Sequence, residues 1–392
     1  MSGEIRVRIQ RYHCRLCTRS FILRKHPRRQ HSAAFELEVV RRHVEGRESY
    51  RVIAQRVYEQ WKLSASSLQR IVERVGERCK SPWEMSWEWK PRWDGVLSVD
   101  EKRCRVRGQQ QWLYEAVDRT GDIVHCRGVK ELTVNEAMSF LEEVQALGLT
   151  PRGIVTDLDT ALSLAVEKVY PKTPHQYCVK HALEALEKVI DYRPIARHRQ
   201  WNQATLRRQF ERLPGRKGIG RERAREEFRK SWEVTRALSD RYRVLEGLRR
   251  DCGAILMAQS EEKARKGVRR VRSTRWYPRE LQKKVLAFFS RHWDRLMMHH
   301  RVKGLPRTNN QAENLNKQLE RRFKTIEAFQ HRANAKAYVN LLIAYLRQKP
   351  YTDCRGSRKH LNGKSRLEAA GASLPSTDWL RNALKAPQNS NR

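Results

Sequence analysis

Gly95-Val-Leu-Ser-Val-Asp100 and Gly153-Ile-Val-Thr-Asp157 are two short apolar runs that each end on a carboxylate, and the chain between them decides the fold. Short apolar runs bounded by glycine suit strands buried on both faces. After Asp100 come residues 111–117 and 123–129, rich in β-branched and aromatic side chains, with Asp118-Arg-Thr-Gly121-Asp122 as the turn that joins them. Three strands in succession predict an antiparallel meander. Asn135 is expected to cap a helix over residues 136–147, ahead of the strand 153–156. The order is strand, strand, strand, helix, strand.

The chain has 392 residues with 82 Lys+Arg against 44 Asp+Glu, a formal net charge of +38. Self-repulsion on this scale is offset by a polyanionic partner, because phosphates neutralised by Lys and Arg release their counterions. Nucleic acid is the leading partner, ahead of a membrane surface because Arg and Lys run through every segment, and an ordinary metabolic enzyme is disfavoured; the helix-turn-helix and the family resemblance below narrow this to double-stranded DNA. A hydrophobic content of 39%, with 11 Trp spread along the chain, supplies enough apolar surface for a folded protein. No apolar run is long enough to span a bilayer, and the first residues lack the apolar core of a secretory signal. The expectation is a cytoplasmic, nucleoid-associated protein with no membrane partner. Eight scattered Cys do not make a disulfide framework, so cysteine chemistry here is metal binding or packing.

Residues 1–32 carry nine Arg/Lys and one Glu around His13-Cys14-Arg-Leu-Cys17, half of a zinc ribbon. A closed zinc site needs four ligands, and no second Cys-x-x-Cys occurs. Zinc at Cys14 and Cys17, completed by His26 and His31, stands beside a knuckle held by packing alone. Residues 33–80 read as three helices, with apolar positions at Val39, Val40, Ile53, Leu68, Ile71, Val72 and Val75. The second and third resemble a helix-turn-helix, in which Ser64 caps the recognition helix and Ser64, Ser66, Ser67, Gln69 and Arg70 face the major groove. A plain three-helix bundle is the alternative. Residues 81–94, with four Trp and two Pro, read as a packed linker.

The strand order, with Asp100 on the first strand and Asp157 after the fourth, resembles the ribonuclease H-like core of DDE transposases and integrases. In that family adjacent central strands hold both acids, and a third acid from a later helix completes a site for two divalent ions, Mg2+ or Mn2+. Oxygen ligands suit such hard cations. Thr308-Asn-Asn-Gln-Ala-Glu313-Asn-Leu-Asn-Lys317 looks like the family signature around the catalytic Glu. The resemblance therefore implies Asp100, Asp157 and Glu313 as metal ligands, with Asn309 and Asn310 capping the helix and Lys317, one turn on, meeting a phosphate. Asp118, Asp122 and Asp159 are rival carboxylates. Cys178-Val-Lys-His181 is similar to the Cys-x-x-His signature of Mutator-like and hAT-related transposases, which carry a helical insertion here; packing near the active site is the favoured role of Cys178 and His181.

The expected fold is α+β: a basic segment 1–32, a helix-turn-helix domain 33–80, a linker 81–94, core segments 95–180 and 306–350 around a helical insertion 181–305, and a basic tail 351–392. Within the insertion, residues 193–250 hold 18 Arg/Lys against 7 Asp/Glu, interleaved with aromatics, and are expected to touch DNA backbone. The implied function is an insertion-sequence transposase near the Mutator-like group. It would bind terminal inverted repeats, cut and join DNA strands with metal, and act as a homo-oligomer on DNA. The alternative is a non-catalytic helix-turn-helix regulator or a domesticated, inactive transposase. No phosphate-binding glycine loop or hydrolase triad order supports another chemistry.

Overall fold

A computed structural model describes residues 12–13, 20–21, 31–213, 215, 218–326 and 329–385. The chain divides into two compact units, Met1–Glu77 and Arg78–Arg392. Among the described residues no helix is long and apolar enough to cross a membrane.

In the first unit, β1 (Tyr12–His13) and β2 (Ser20–Phe21) pair antiparallel, Tyr12 opposite Phe21. Cys14, Cys17 and His26 lie outside the described residues. Three helices follow: α1 (Ala33–Val44), α2 (Tyr50–Trp61) and α3 (Ala65–Glu77). Ser32 and Ser49 cap the first two, accepting hydrogen bonds from the backbone N–H groups of Phe35 and Val52. Lys62, left-handed at φ 46°, stops α2, and the Ser64 hydroxyl accepts from Ser67 N at the start of α3. Val39, Val40, Ile53, Leu68, Ile71, Val72 and Val75 are buried between these helices, as their spacing predicts. The Arg74 guanidinium on Glu36 ties α3 to α1 at 2.8 Å.

The second unit begins with α4 (Pro82–Trp89), where a linker was expected. Ser81 and Glu84 form a reciprocal capping box and Pro82 takes the first turn, so a segment without obvious periodicity folds as a helix. A mixed sheet of five strands follows: β3 (Val96–Val106), β4 (Gln109–Asp118), β5 (Ile123–Val129), β6 (Gly153–Thr156) and β7 (His175–Tyr177). Its order is β5-β4-β3-β6-β7, with β3, β4 and β5 an antiparallel meander and β6 and β7 parallel to β3. Gly121, at φ 95°, makes the β4–β5 turn.

Helices α5 (Val134–Gln145) and α6 (Thr160–Val169) cover one face, burying Leu97, Val99, Phe140, Ile154, Leu162 and Val166 in one cluster. Thr133, not Asn135, caps α5, because its hydroxyl is the one that reaches Glu136 N. After β7 come α7 (Val179–Val189), α8 (Tyr192–Arg212), α9 (Ile219–Leu256), α10 (Glu261–Ser273) and α11 (Arg279–Arg301). They share a core of their own around Leu186, Leu245, Leu248, Phe289 and Met297, to which Tyr177 of β7 also contributes. Helix α12 (Asn310–Ile326) then returns against β3 and β4, and α13 (Arg332–Gln348) against β5 and α4. The basic tail is not loose up to Lys385: a 3-10 turn (Gly356–Leu361), α14 (Arg366–Ala369) and α15 (Trp379–Ala383) bury Leu367, Trp379, Leu380 and Ala383, and α14 and α15 pack on α13.

Candidate active site

Strand β3 is longer than its neighbour β6. The two pair only as far as Ser98 with Val155, and β3 continues to Val106 beside β4, with a single bridge from Val106 to Phe329 at its end. Two residues beyond the last pair lie Asp100 on one strand and Asp157 on the other, where the sheet opens. β7 ends at Tyr177, and the next residue, Cys178, donates its backbone N–H to Thr156 O at 2.8 Å. The carboxyl ends of three parallel strands thus deliver Asp100, Asp157 and Cys178 to one crevice, the usual place for a ligand in such sheets.

Helix α12 closes this crevice. Asn309 precedes it, fully buried, and its side chain donates to Val99 O at 3.0 Å, so it pins the helix to β3 instead of capping it. Val179 N donates to Arg307 O at 3.0 Å, which ties α7 to the same approach. Glu313 then lies in the first turn of α12, where its carboxylate pairs with Lys180 at 2.5 Å and Oε1 is buried without a partner among the described residues. Asn316, three residues on and on the same helix face, donates to Asp100 Oδ2 at 2.9 Å. Lys317 is exposed one turn beyond Glu313.

The expected acids come together, and a fourth joins them. Asp100, Glu101 and Asp157 bring ligand oxygens within 4.8 Å of one another, and Cys178, His181 and Glu313 do the same. Burial, then the Asp157 charge, pushes Asp100 up to about 6. Burial followed by its two acidic neighbours raises Glu101, and burial with Asp159 raises Asp157. Burial also raises the Cys178 thiol, but the His181 imidazole and the Asn309 N–H outweigh it and bring the thiol down. The Cys178 sulfur, with Asp100 and Asp157 behind it, pushes His181 up to about 9 against the effect of burial.

The rival carboxylates are engaged by other partners, although Asp159 stays beside Asp157, to which its backbone N–H donates at 2.9 Å. Asp118 accepts from the backbone N–H groups of Asp94, Gly95 and Thr120, Asp122 is paired with Arg347, and Asp159 caps α6. Sequence reasoning missed Glu101, Lys180 and Asn316 as members of the site, and gave Asn309 a capping role where it holds the helix to β3. Asn316 was readable, since three residues from Glu313 is one helix face. Glu101 was not, because alternation assigns neighbouring strand residues to opposite faces. Glu115, opposite Asp100 on β4, is fully buried and neither of its carboxyl oxygens has a partner among the described residues. A cavity of about 550 Å³ lined by Trp83, Trp112, Arg127 and Phe329 holds none of these groups.

In the first unit Ser64 is engaged as a cap, and Gln69 donates to Glu73 at 2.8 Å. Ser66 and Arg70 are exposed on α3, and Ser67 is half-buried. No family model and no curated protein matches this chain.

Proposed function

We propose that the chain is a DNA transposase of the DDE type, with a ribonuclease H-like core, close to the Mutator-like insertion-sequence enzymes. The observation that carries the reading is the convergence of Asp100, Asp157 and Glu313 on one crevice from two adjacent parallel strands and a late helix. The strand order, with a three-stranded meander followed by two parallel strands, supports the same core. A long helical stretch between Asp157 and Glu313 supports the insertion.

The donor set fits divalent cations. Glu101 Oε2 and Glu313 Oε1 are buried without partners among the described residues, and Asp100 is raised by burial and then by the neighbouring Asp157 charge, which a bound cation would offset. Asp100, Asp157 and Glu313 would hold two Mg2+ or Mn2+ ions, which supply charge opposite the attacking and leaving oxygens of a phosphodiester displacement. The chain does the positioning. Asn316 fixes the Asp100 carboxylate, and Asn309 fixes the helix that carries Glu313. Exposed Lys317 meets backbone phosphate.

In the first unit a three-residue turn between α2 and α3 suits a helix-turn-helix, with Ser66, Ser67, Gln69 and Arg70 offered to base edges of terminal repeats. Joining two element ends calls for a homo-oligomer on DNA.

The test is cleavage of a labelled duplex taken from the DNA flanking this chain's own coding sequence, with Mg2+, Mn2+ or EDTA. Wild type should nick at the repeat boundary with metal only. Asp157→Asn and Glu313→Gln should each lose at least about a thousandfold in rate while still binding the duplex. Tight, salt-sensitive binding without cleavage in either metal would overturn the reading in favour of a non-catalytic DNA-binding protein.

A further inference from the structure

The groups in the crevice separate by donor chemistry. Asp100, Glu101 and Asp157 offer oxygen only, whereas Cys178, His181 and Glu313 offer sulfur, nitrogen and oxygen, all within 4.8 Å of one another. Hard cations such as magnesium take oxygen ligands, while thiolate with imidazole and carboxylate suits zinc. We propose that Cys178, His181 and Glu313 form a zinc-class metal site with a fourth position open to water or a phosphate oxygen, beside an all-oxygen site at Asp100, Glu101 and Asp157. The inference rests on the reading above, on which Glu313 belongs to the reacting centre, and revises its ligand set in one point: Glu313 serves the zinc-class site and Glu101 takes its place beside Asp100 and Asp157.

Three observations carry it. Cys178 is fully buried at the start of α7, and its sulfur faces the His181 imidazole and the Asn309 N–H. His181 Nδ1 and Glu313 Oε1 are both buried atoms without a hydrogen-bond partner among the described residues, and such atoms in a folded protein call for an explanation. The backbone that presents them is braced: Cys178 and His181 share the first turn of α7, which is held at Val179 to Arg307 O, and Glu313 lies one turn past Asn309, which is held to β3.

The spacing is close to what zinc needs. Ligand atoms around a tetrahedral ion with bonds of about 2.0–2.3 Å sit about 3.3–3.8 Å apart, so closure from separations within 4.8 Å asks for at most about 1.5 Å of approach. Lys180 now pairs with Glu313, but its side chain is 51% exposed and can withdraw to solvent without disturbing packing. Three protein ligands and an open fourth position are the pattern of a zinc ion that meets substrate, whereas structural zinc is closed by four.

The test uses the full chain with Cys14→Ser and Cys17→Ser, so that the amino-terminal thiols contribute nothing, and Co2+ as the zinc probe. One equivalent of Co2+ should give a thiolate-to-cobalt charge-transfer band that Zn2+ displaces. The band should vanish in Cys178→Ser and persist in Asp157→Asn. His181→Ala, which keeps the thiol, should weaken Co2+ binding by at least about a hundredfold with unchanged far-UV circular dichroism. No thiolate band in the starting protein, or a band that survives Cys178→Ser, overturns the inference. The two readings fail separately: metal-dependent cleavage without the band removes only this site, and the band without cleavage in any metal removes only the transposase.

Discussion

Asp100 and Glu101 leave β3 on opposite faces, yet both reach Asp157, because β6 ends one residue before that acid and leaves the edge of β3 open. The same strand end creates a pH-sensitive histidine. His175 of β7 is 6% exposed, holds Thr156 Oγ1 at 2.8 Å, and burial pushes its imidazole down to about 4. A histidine depressed in the fold is neutral there while the unfolded chain takes up a proton below about pH 6.5. Its contribution to stability is therefore whole above about pH 6.5 and is lost as pH falls toward 4, by about 3 kcal/mol in the limit. Asp100, Asp157 and Glu115, raised by burial, act in the opposite sense over the acid range, so the comparison must be differential. Urea midpoints of wild type and His175→Gln should converge as pH is lowered from 7 to 4.5; parallel curves would rule out this histidine as the source.

Among the elements, α4 shows how capping outweighs a weak pattern. Its eight residues include three tryptophans, and what marks its start is the Ser81 hydroxyl on Glu84 N at 3.2 Å and the Glu84 carboxylate on Ser81 N at 2.7 Å. The helix is then fixed to the sheet by Ser86 Oγ, which donates to Val124 O, and to α5 by the Trp83 indole, which donates to Glu143 O. Ser81→Ala should cost about 1 kcal/mol in urea unfolding. Ser81→Thr, which keeps the acceptor, should cost less than half of that; equal losses would mean that packing and not the cap decides this helix. The sequence Ser-Pro-Trp-Glu carries the serine and the glutamate at the spacing of a capping box, so the element was legible.

For the whole second unit, the key contact is one no local pattern announces. Arg347 of α13 and Asp122 of the β4–β5 turn are both fully buried and meet through two hydrogen bonds, at 2.9 and 2.7 Å. The guanidinium also donates to Pro82 O and Ser86 Oγ of α4, and the Trp93 indole donates to Asp122. Sheet, first helix and late helix are thereby locked by one satisfied polar network. Removing the cation alone leaves a buried carboxylate, so Arg347→Met should destabilise by about 3–5 kcal/mol. The double variant Arg347→Met, Asp122→Asn should recover part of that loss in the same urea measurement, since the orphaned charge is gone; an additive further loss would contradict the network.

The sequence by itself determined many of the local elements and their kinds, although the α4 segment reads as a linker and β7 is not anticipated. Apolar runs, turn residues and the helical spacing of Leu68, Ile71, Val72 and Val75 are properties of adjacent residues, and they specified the meander, the later strand and the three amino-terminal helices. Asp100 and Asp157 stand at strand ends that can be read locally, but it is the resemblance of the sequence motifs, and not a local pattern, that singled them out together with Glu313. Only the tertiary structure decided how these acids meet. That β6 pairs with β3 for three residues and then stops, that Glu101 and the Cys178–His181 turn share the crevice, and that Asn316 holds Asp100 depend on chain segments up to 216 positions apart. Such contacts are selected by the burial of whole faces and by the pairing of buried polar groups, which no window of neighbouring residues contains.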